Sequence, residues 1–404
     1  MAKTPLSDKE ITSMKIQPAE RLSHLPVYLF DDLDNQKAAA AARGIDVIDL
    51  GVGDPDRPTP DYIIDVLCKE VRDDRHHHYP SYKGLPEYRQ AVANWYKKRF
   101  GVDLDPNSEV LSLIGSKIGV ALLPFALCNP GDIVLIPNPC YTAYRPGITL
   151  AGAAIAEMPL LEKNGFLPDF SAIPSDVAKK AKLMLLNHPG NPTAALATKE
   201  FFAAAVDFAN QHGIAVSHDA PYSEATFDGE VALSFLQTPG AKEVGVEFHS
   251  CSKVFNMPGW RTAYCSGNRD IVAALGKVRS NIDMGQFEPV QLAAAAALNG
   301  PMDHPQKMAR MYQERRDVLC GGLDNLGWKV IWPKATFFVW TRVPTDAKSG
   351  DFARDLLNKA GVLVSPGTGF GTLGEGYIRI ALTVEVDRLK QAVERIKEAG
   401  FVYS

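Results

Sequence analysis

Residues 250–261 read SCSKVFNMPGWR: two serines stand ahead of Lys253, and Arg261 follows it eight positions on. A lysine on a turn between hydroxyls and a guanidinium suits an anionic group that also bears a carbonyl. The amine can bond to the carbonyl carbon while the other donors hold the negative charge. Taken alone, S-x-S-K is a common string, and an isolated lysine is ordinarily a solvated surface charge. The stretch gains meaning from its flanks. Val246–His249 before it and Thr262–Ser266 after it are short apolar runs of strand type.

Working outward, further runs of the same type occur at Asp46–Leu50, Val110–Ile114, Ile133–Ile136, Leu183–Leu186 and Ile214–Ser217. Helical patterns separate several of them, at residues 85–100, Ile118–Leu127 and Lys199–His212. Strands of buried type alternating with helices imply an α/β fold with a mostly parallel sheet covered on both faces. Ligands of such sheets sit at the carboxyl ends of the strands. Beyond about residue 300 the alternation stops. A helix over Met308–Leu326 leads to strand-like runs Lys329–Trp332 and Thr336–Thr341. A helix over Asp351–Ala360, a strand Tyr377–Leu382 and a helix Val386–Ala399 follow. This reads as a smaller α+β domain. The expected division is an N-terminal segment 1–44 packing with the small domain, a large domain 45–300 and the small domain 301–404.

Length and composition bound the function. A chain of 404 residues exceeds one ordinary core, and 46% apolar with 22% charged residues is typical of a globular protein. A formal charge of −4 offers no basic excess for nucleic acid. No apolar run is long enough to span a membrane, and MAKTPLSDKE lacks an export pattern, so a cytoplasmic protein is expected. The six cysteines are scattered without a CxxC pair, as expected of free thiols in a reducing compartment. Consecutive His76, His77 and His78 cannot all converge on one ion in regular structure, so no metal site is expected.

Four strand ends each add a part to Lys253. Gly115-Ser116-Lys117 follows a strand and opens a helix, where backbone N–H groups and the helix dipole favour a phosphate. Tyr141, after Asn138-Pro139-Cys140, offers a ring that can stack on a flat heterocycle. Asn187 and Asn191 lie in NHPGNPT, and an amide can donate to a phenolate oxygen. Asp219 ends a strand, with Tyr222 three residues on; a carboxylate there can keep a pyridine nitrogen protonated. Singly these motifs read as a glycine loop, a packing tyrosine and a helix-capping aspartate. Jointly, with Ser250, Ser252, Lys253 and Arg261, they describe a site for pyridoxal phosphate.

The same residues carry a family resemblance. Asn191-Pro192, Asp219 with Tyr222, and Ser250-x-Ser252-Lys253 with Arg261 resemble the class I/II aminotransferases of fold type I, the aspartate aminotransferase-like fold, from about Pro26 to the C-terminal helix. LPVYLFDDLD (25–34), IDLGVGDPDRPTP (48–60), YPSYKGLPEYRQAV (79–92), GAKEVGVEFHSCSK (240–253) and LGKVRSNID (275–283) are similar to the prokaryotic LL-diaminopimelate aminotransferase group. The resemblance implies roles. Lys253 would be the Schiff-base lysine and the proton carrier. Asp219 would face the ring nitrogen, Tyr222 and Asn191 the ring hydroxyl, and Tyr141 the ring plane. Gly115, Ser116, Lys117, Ser250, Ser252 and Arg261 would hold the phosphate. Tyr79 would reach the phosphate in a neighbouring subunit, which implies a homodimer with shared sites. Arg379 would clamp the substrate α-carboxylate, with the backbone of Gly53 close by, and Tyr28 from the N-terminal segment and Asn281 from the partner subunit would lie near substrate or cofactor.

Departures from the family pattern bear on the substrate. Ile118 stands where an acid is usual, and Ala194 where glycine is. Cys140, Thr142, Val254, Pro258, Thr262 and Ala263 also differ, and the tract Pro80-Ser81-Tyr82-Lys83 lacks the acid that plant-type members use for a distal ammonium. The expected activity is a ping-pong transfer of an amino group between an amino acid and a 2-oxo acid. LL-diaminopimelate with 2-oxoglutarate, in lysine biosynthesis, is the leading pair, and an alanine/aspartate-type or broad-specificity aminotransferase is the alternative. A C–S β-lyase on the same fold would share every cofactor residue. A regulator would need a DNA-binding module, for which 44 N-terminal residues are too few.

Overall fold

Alternating side chains on the central strands face two different cores. Val134 and Ile136, Leu183 and Leu185, and Val246 and Phe248 join one buried cluster, whereas Leu135, Met184, Leu186 and Val216 join another. Strands wetted on neither face need helices on both, and the chain supplies them. The computed structural model describes residues 16–26 and 28–403. Residues 1–15, which include the MAKTPLSDKE opening and the start of the 1–44 segment, lie outside the described residues, as does Val27.

The strands are β1 Ile48–Asp49, β2 Val110–Leu113, β3 Ile133–Asn138, β4 Ala154–Pro159, β5 Ala181–Leu186 and β6 Ala215–Asp219. They continue with β7 Gly245–Ser250, β8 Ala263–Gly267, β9 Phe338–Arg342, β10 Val362–Leu363, β11 Ser365–Pro366 and β12 Tyr377–Ala381. Seven of them form one sheet in the order β2-β8-β7-β6-β5-β3-β4. Only β8 runs against the others, pairing antiparallel with both β2 and β7. The carboxyl ends of six strands therefore share one edge. Helices Ser116–Leu127, Tyr144–Leu150 and Arg269–Arg279 cover one face; Pro86–Phe100, Lys199–His212 and Glu288–Asn299 cover the other.

A second, three-stranded antiparallel sheet has the order β11-β12-β9, and its apolar cluster includes residues of the long helix Asp303–Asn325 and of Val386–Glu398. The helix Leu29–Ala42 packs Leu33 and Ala40 against Leu357 and Leu363, and β1 pairs in parallel with β10. Three elements differ from the sequence reading. The run Asp46–Leu50 is strand only over Ile48–Asp49 and pairs with β10 instead of joining the seven-stranded sheet. β4 is an additional edge strand whose residues are mostly exposed or half-buried, so it lacks the apolar run that marks its neighbours. Lys329–Trp332 is not a strand. Lys329 has φ +54°, and the side chain of Asp324 accepts from Val330 N and from Trp332 Nε1, both at 2.7 Å, in place of a neighbouring strand.

Candidate active site

At the shared edge a cavity of about 360 Å³ opens between the ends of the large sheet and the second sheet. Its wall includes Tyr28, Gly53, Ser116, Lys117, Tyr141, Asn191, Asp219, Tyr222, Ser250, Ser252, Lys253, Arg261 and Arg379. Residues separated by more than 350 positions in the chain thus meet because the strand ends converge and β12 comes down over them.

One end of the cavity is an anion cradle. Gly115 caps the twelve-residue helix Ser116–Leu127 with φ +83°, leaving the first-turn N–H groups of Ser116 and Lys117 open to the cavity. A Cβ on Gly115 would lie 2.1 Å from Arg261 Nη2, so only glycine lets the guanidinium approach the helix end. Arg261 itself has φ +55° and donates to Pro258 O at 2.8 Å, a local strain that holds its side chain against the cradle. Ser250 caps the next turn by accepting from Ser252 N at 3.2 Å. Pro258 lines the cavity, whereas Val254 is buried in the core away from it. Ala194 takes φ +58°, the conformation that glycine adopts most readily.

The inner end holds a buried carboxylate. Asp219 is 5% exposed; Tyr144 OH donates to its Oδ2 at 3.0 Å, and its Oδ1 has no partner. Burial pushes the carboxyl up to about 6, against the hydrogen bond from Tyr144 and the nearby charges of His218 and His249. Tyr141 packs edge-on to Tyr144 with ring centroids 5.7 Å apart. Asn187 Oδ1 accepts from Asn191 N at 2.7 Å, fixing the turn that carries Asn191. Burial raises the Tyr222 phenol far above its ordinary value, so it is a donor. Tyr144 was missed in the sequence; its position three residues after Tyr141 was the available signal.

Lys253 donates to Gly53 O at 3.2 Å. Burial lowers the amine to about 8; the charge of Asp54 opposes the shift, and those of Arg261 and Arg379 reinforce it. Arg379, 1% exposed, donates to Asn191 Oδ1 at 2.9 Å, to Gly51 O at 2.7 Å and to Ser365 Oγ at 3.3 Å, but meets no carboxylate among the described residues. Burial lowers it to about 10, against the influence of Tyr222 and Tyr141. The ring centroids of Phe338 and Phe370 lie 4.1 and 4.6 Å from its guanidinium carbon. Gly53 admits this arrangement, since a Cβ there would come within 2.4 Å of the Phe338 ring. A buried guanidinium with aromatic faces and no anion is a receptor for a carboxylate.

Two sequence candidates stand apart. Tyr79 is 89% exposed, and Asn281 is exposed at the end of the helix Arg269–Arg279, beside Ile282. Cys140 and Thr142 line a neighbouring hollow with Tyr28 and Arg145. The His76 ring nitrogens face Glu288 at 2.8 Å and Glu70 at 3.3 Å. The residues present fit pyridoxal phosphate. An anion cradle, an amine of lowered basicity and an unpartnered buried carboxylate oxygen surround one cavity, each suited to a different group of that molecule.

Comparison with known proteins accords with this chemistry. The family model described as Aminotransferase class I and II matches residues 45–396. The LL-diaminopimelate aminotransferase of Desulforudis audaxviator is 52% identical, over 95% of this chain and 98% of that protein. Substrate-bound BacF from Bacillus subtilis superposes with a TM-score of 0.91 at 40% identity, over 95% of this chain and 98% of that one. An aspartate aminotransferase of Thermus thermophilus, in a single-mutant form, superposes with a TM-score of 0.89 at 27% identity, over 95% of this chain and 100% of that one.

Proposed function

The chain belongs to the class I and II aminotransferases, which share the aspartate aminotransferase-like fold and use pyridoxal phosphate, and from that premise we propose that it transfers an amino group between LL-diaminopimelate and 2-oxoglutarate. The observation that carries the substrate assignment is the near-full-length 52% identity to a protein of that activity. The reaction class is supported by the geometry of Lys253, Asp219 and Arg379 around one cavity.

When bound, the cofactor supplies an aldehyde to receive the amino group and a protonated pyridine ring that draws electron density from the substrate Cα. Gly115, Ser116, Lys117, Ser250, Ser252 and Arg261 would hold its phosphate, together with Tyr79 from a second copy. Tyr141 would pack on the ring, and Tyr222 and Asn191 would donate to its hydroxyl. Asp219, with its free Oδ1, would pair with the ring nitrogen. Arg379 would bind the substrate α-carboxylate bidentately, with the Gly53 backbone alongside; Tyr28 of the same chain and Asn281 of a second copy would lie near the bound molecule. Lys253 Nζ would take the proton from the substrate Cα and deliver it to the carbon that had carried the cofactor's aldehyde; an amine lowered to about 8 suits both directions. Closure of the second sheet and its helices over the cavity excludes water. The two substrates use the one cavity in turn.

We draw the units as 1–44 with 301–404 and 45–300, supported by the confinement of the seven-stranded sheet to residues 110–267; β1 is the exception, since it pairs with β10 and Ile48 and Leu50 pack into the apolar cluster of the 301–404 unit. A homodimer is supported by the exposed Tyr79, Ile282, Met284 and Phe287. Six unpaired cysteines favour a reducing, cytoplasmic setting. The test is a donor screen of the cofactor-loaded protein with LL-diaminopimelate, L-aspartate and L-alanine against 2-oxoglutarate, pyruvate and oxaloacetate. The highest kcat/KM is expected for LL-diaminopimelate with 2-oxoglutarate. Robust alanine or aspartate turnover without it would discard the substrate and keep the reaction class. Release of pyruvate and ammonia from a sulfur amino acid, without stoichiometric amino transfer, would mark a lyase instead.

A further inference from the structure

Four cations and two carboxylates line the cavity: Lys117, Lys253, Arg261 and Arg379 against Asp54 and Asp219. Asp219 lies buried at the inner end with one oxygen bound by Tyr144, and its free oxygen faces the ring nitrogen in the reading above. Asp54 differs in every respect. It is exposed at the mouth, on the turn immediately after Gly53, whose carbonyl accepts from Lys253. It takes part in none of the ion pairs among the described residues, whereas Asp56 on the same turn is gripped by both Nη atoms of Arg315 at 2.7 Å each. Arg315 is fully buried and also donates to Leu382 O at 3.0 Å, so the turn is anchored while the Asp54 carboxylate stays uncommitted. An unpaired anion in a cavity wall rich in cations has the right charge for a cationic part of the substrate.

Geometry indicates which part. Lys253 serves C2 of the amino acid, and Asp54 stands one residue from the backbone carbonyl that Lys253 contacts. In an extended chain, an ammonium on C6 stands roughly 6 Å from C2, across four carbon–carbon bonds. Asp54 and Lys253 line the same cavity.

We propose that Asp54 binds a second ammonium, on C6 of the amino-acid substrate, and so selects diamino acids over mono-amino acids of equal length. This rests on the LL-diaminopimelate reading for its physiological meaning, but the charge recognition can be tested without it. L-lysine and L-norleucine have the same carbon chain and differ in the C6 ammonium. Their KM and kcat are read from the absorbance change of the bound cofactor in a single half-reaction, for the unaltered holoenzyme and for Asp54→Asn, Asp54→Ser and Asp54→Glu. Two neutral variants guard against one that fails to load cofactor.

The unaltered enzyme is expected to favour lysine by about tenfold, mainly in KM, with the ratio near one in the neutral variants and partly kept in Asp54→Glu. The kcat/KM for LL-diaminopimelate relative to L-glutamate should fall by a similar factor. A lysine-to-norleucine ratio that is the same with and without the carboxylate would overturn the proposal. So would an equal fall for both amino acids, which would make Asp54 only a modifier of Lys253. An Asp54-dependent lysine preference in an enzyme that does not turn over LL-diaminopimelate would keep this assignment and discard the substrate.

Discussion

At Asp219 one carboxylate oxygen accepts from Tyr144 and the other has no protein partner, and burial makes an ionised carboxylate costly there. A carboxyl raised to about 6 favours the protonated folded form. Its contribution to stability is greatest below the unfolded value of 3.8 and is lost as pH rises through 6. Asp219→Asn should therefore raise the melting temperature of the apoprotein at pH 8, equivalent to about 2–3 kcal/mol, with the gap closing below pH 6. Pyridoxal phosphate affinity should fall in the same variant. Calorimetry across that pH range, beside a cofactor titration, checks both. Arg379 invites a similar test. Lysine cannot reproduce a bidentate fork held between Phe338 and Phe370, so Arg379→Lys should lower kcat/KM for the amino acid about a hundredfold. Steady-state kinetics showing less than a threefold loss would remove Arg379 from the carboxylate site. Most chemistry-bearing residues at this scale were legible because their types and order repeat a known pattern. Tyr144 and Asp54 were not, because a phenol and an exposed aspartate look ordinary until their neighbours are known.

Among the elements, β6 and β7 are joined by more than their ladder. Glu247 on β7 is fully buried and meets His218 Nδ1 on β6 at 2.7 Å, Phe235 N at 2.7 Å, Tyr96 OH at 3.0 Å and Ser234 Oγ. Burial alone would raise its carboxyl, but the hydrogen bond with His218 and the proximity of His249, whose Nε2 lies 3.7 Å away, outweigh that and hold it well below the carboxylate range. Its contribution to stability is thus present above the unfolded value of 4.5 and is lost as pH falls through the acid range. Glu247→Gln, which leaves His218 and Tyr96 with a poorer partner, is expected to cost about 3 kcal/mol at pH 7 and progressively less toward pH 3. Urea unfolding at the two pH values measures it. Because His218 Nε2 also lies 2.9 Å from His188 O, at the start of the turn bearing Asn191, the same variant should weaken substrate binding modestly. Central strands such as β5 and β7 could be read from their apolar runs. The edge strand β4 escaped notice because an edge needs less burial, and Lys329–Trp332 looked like a strand because an acid on the preceding helix can replace a strand partner.

Over the whole molecule, Tyr79 lies on the surface and is not part of the wall of its own chain's cavity. If two copies share sites, Tyr79→Ala and Lys253→Ala impair different halves of each composite site. Mixing the two inactive or cofactor-starved variants after mild unfolding should restore activity, up to about one native site per mixed dimer. Sedimentation of the unaltered protein as a monomer, or mixing without recovery, would end the shared-site reading. The α/β architecture with helices on both faces of its sheet and the polar groups at strand ends follow from the sequence alone, since burial periodicity and turn chemistry are local and survive without coordinates; the reaction class follows from the family resemblance that the same motifs carry. Tertiary structure decided what local pattern cannot carry. It closed Arg379, Asn191 and the Phe338 and Phe370 rings around one carboxylate receptor, set Tyr144 on Asp219, and left Asp54 free where Asp56 is bound. Those contacts join residues up to 328 positions apart, such as Gly51 and Arg379. Pairing at that separation is fixed by how strands and helices pack in space, which no short window of sequence contains.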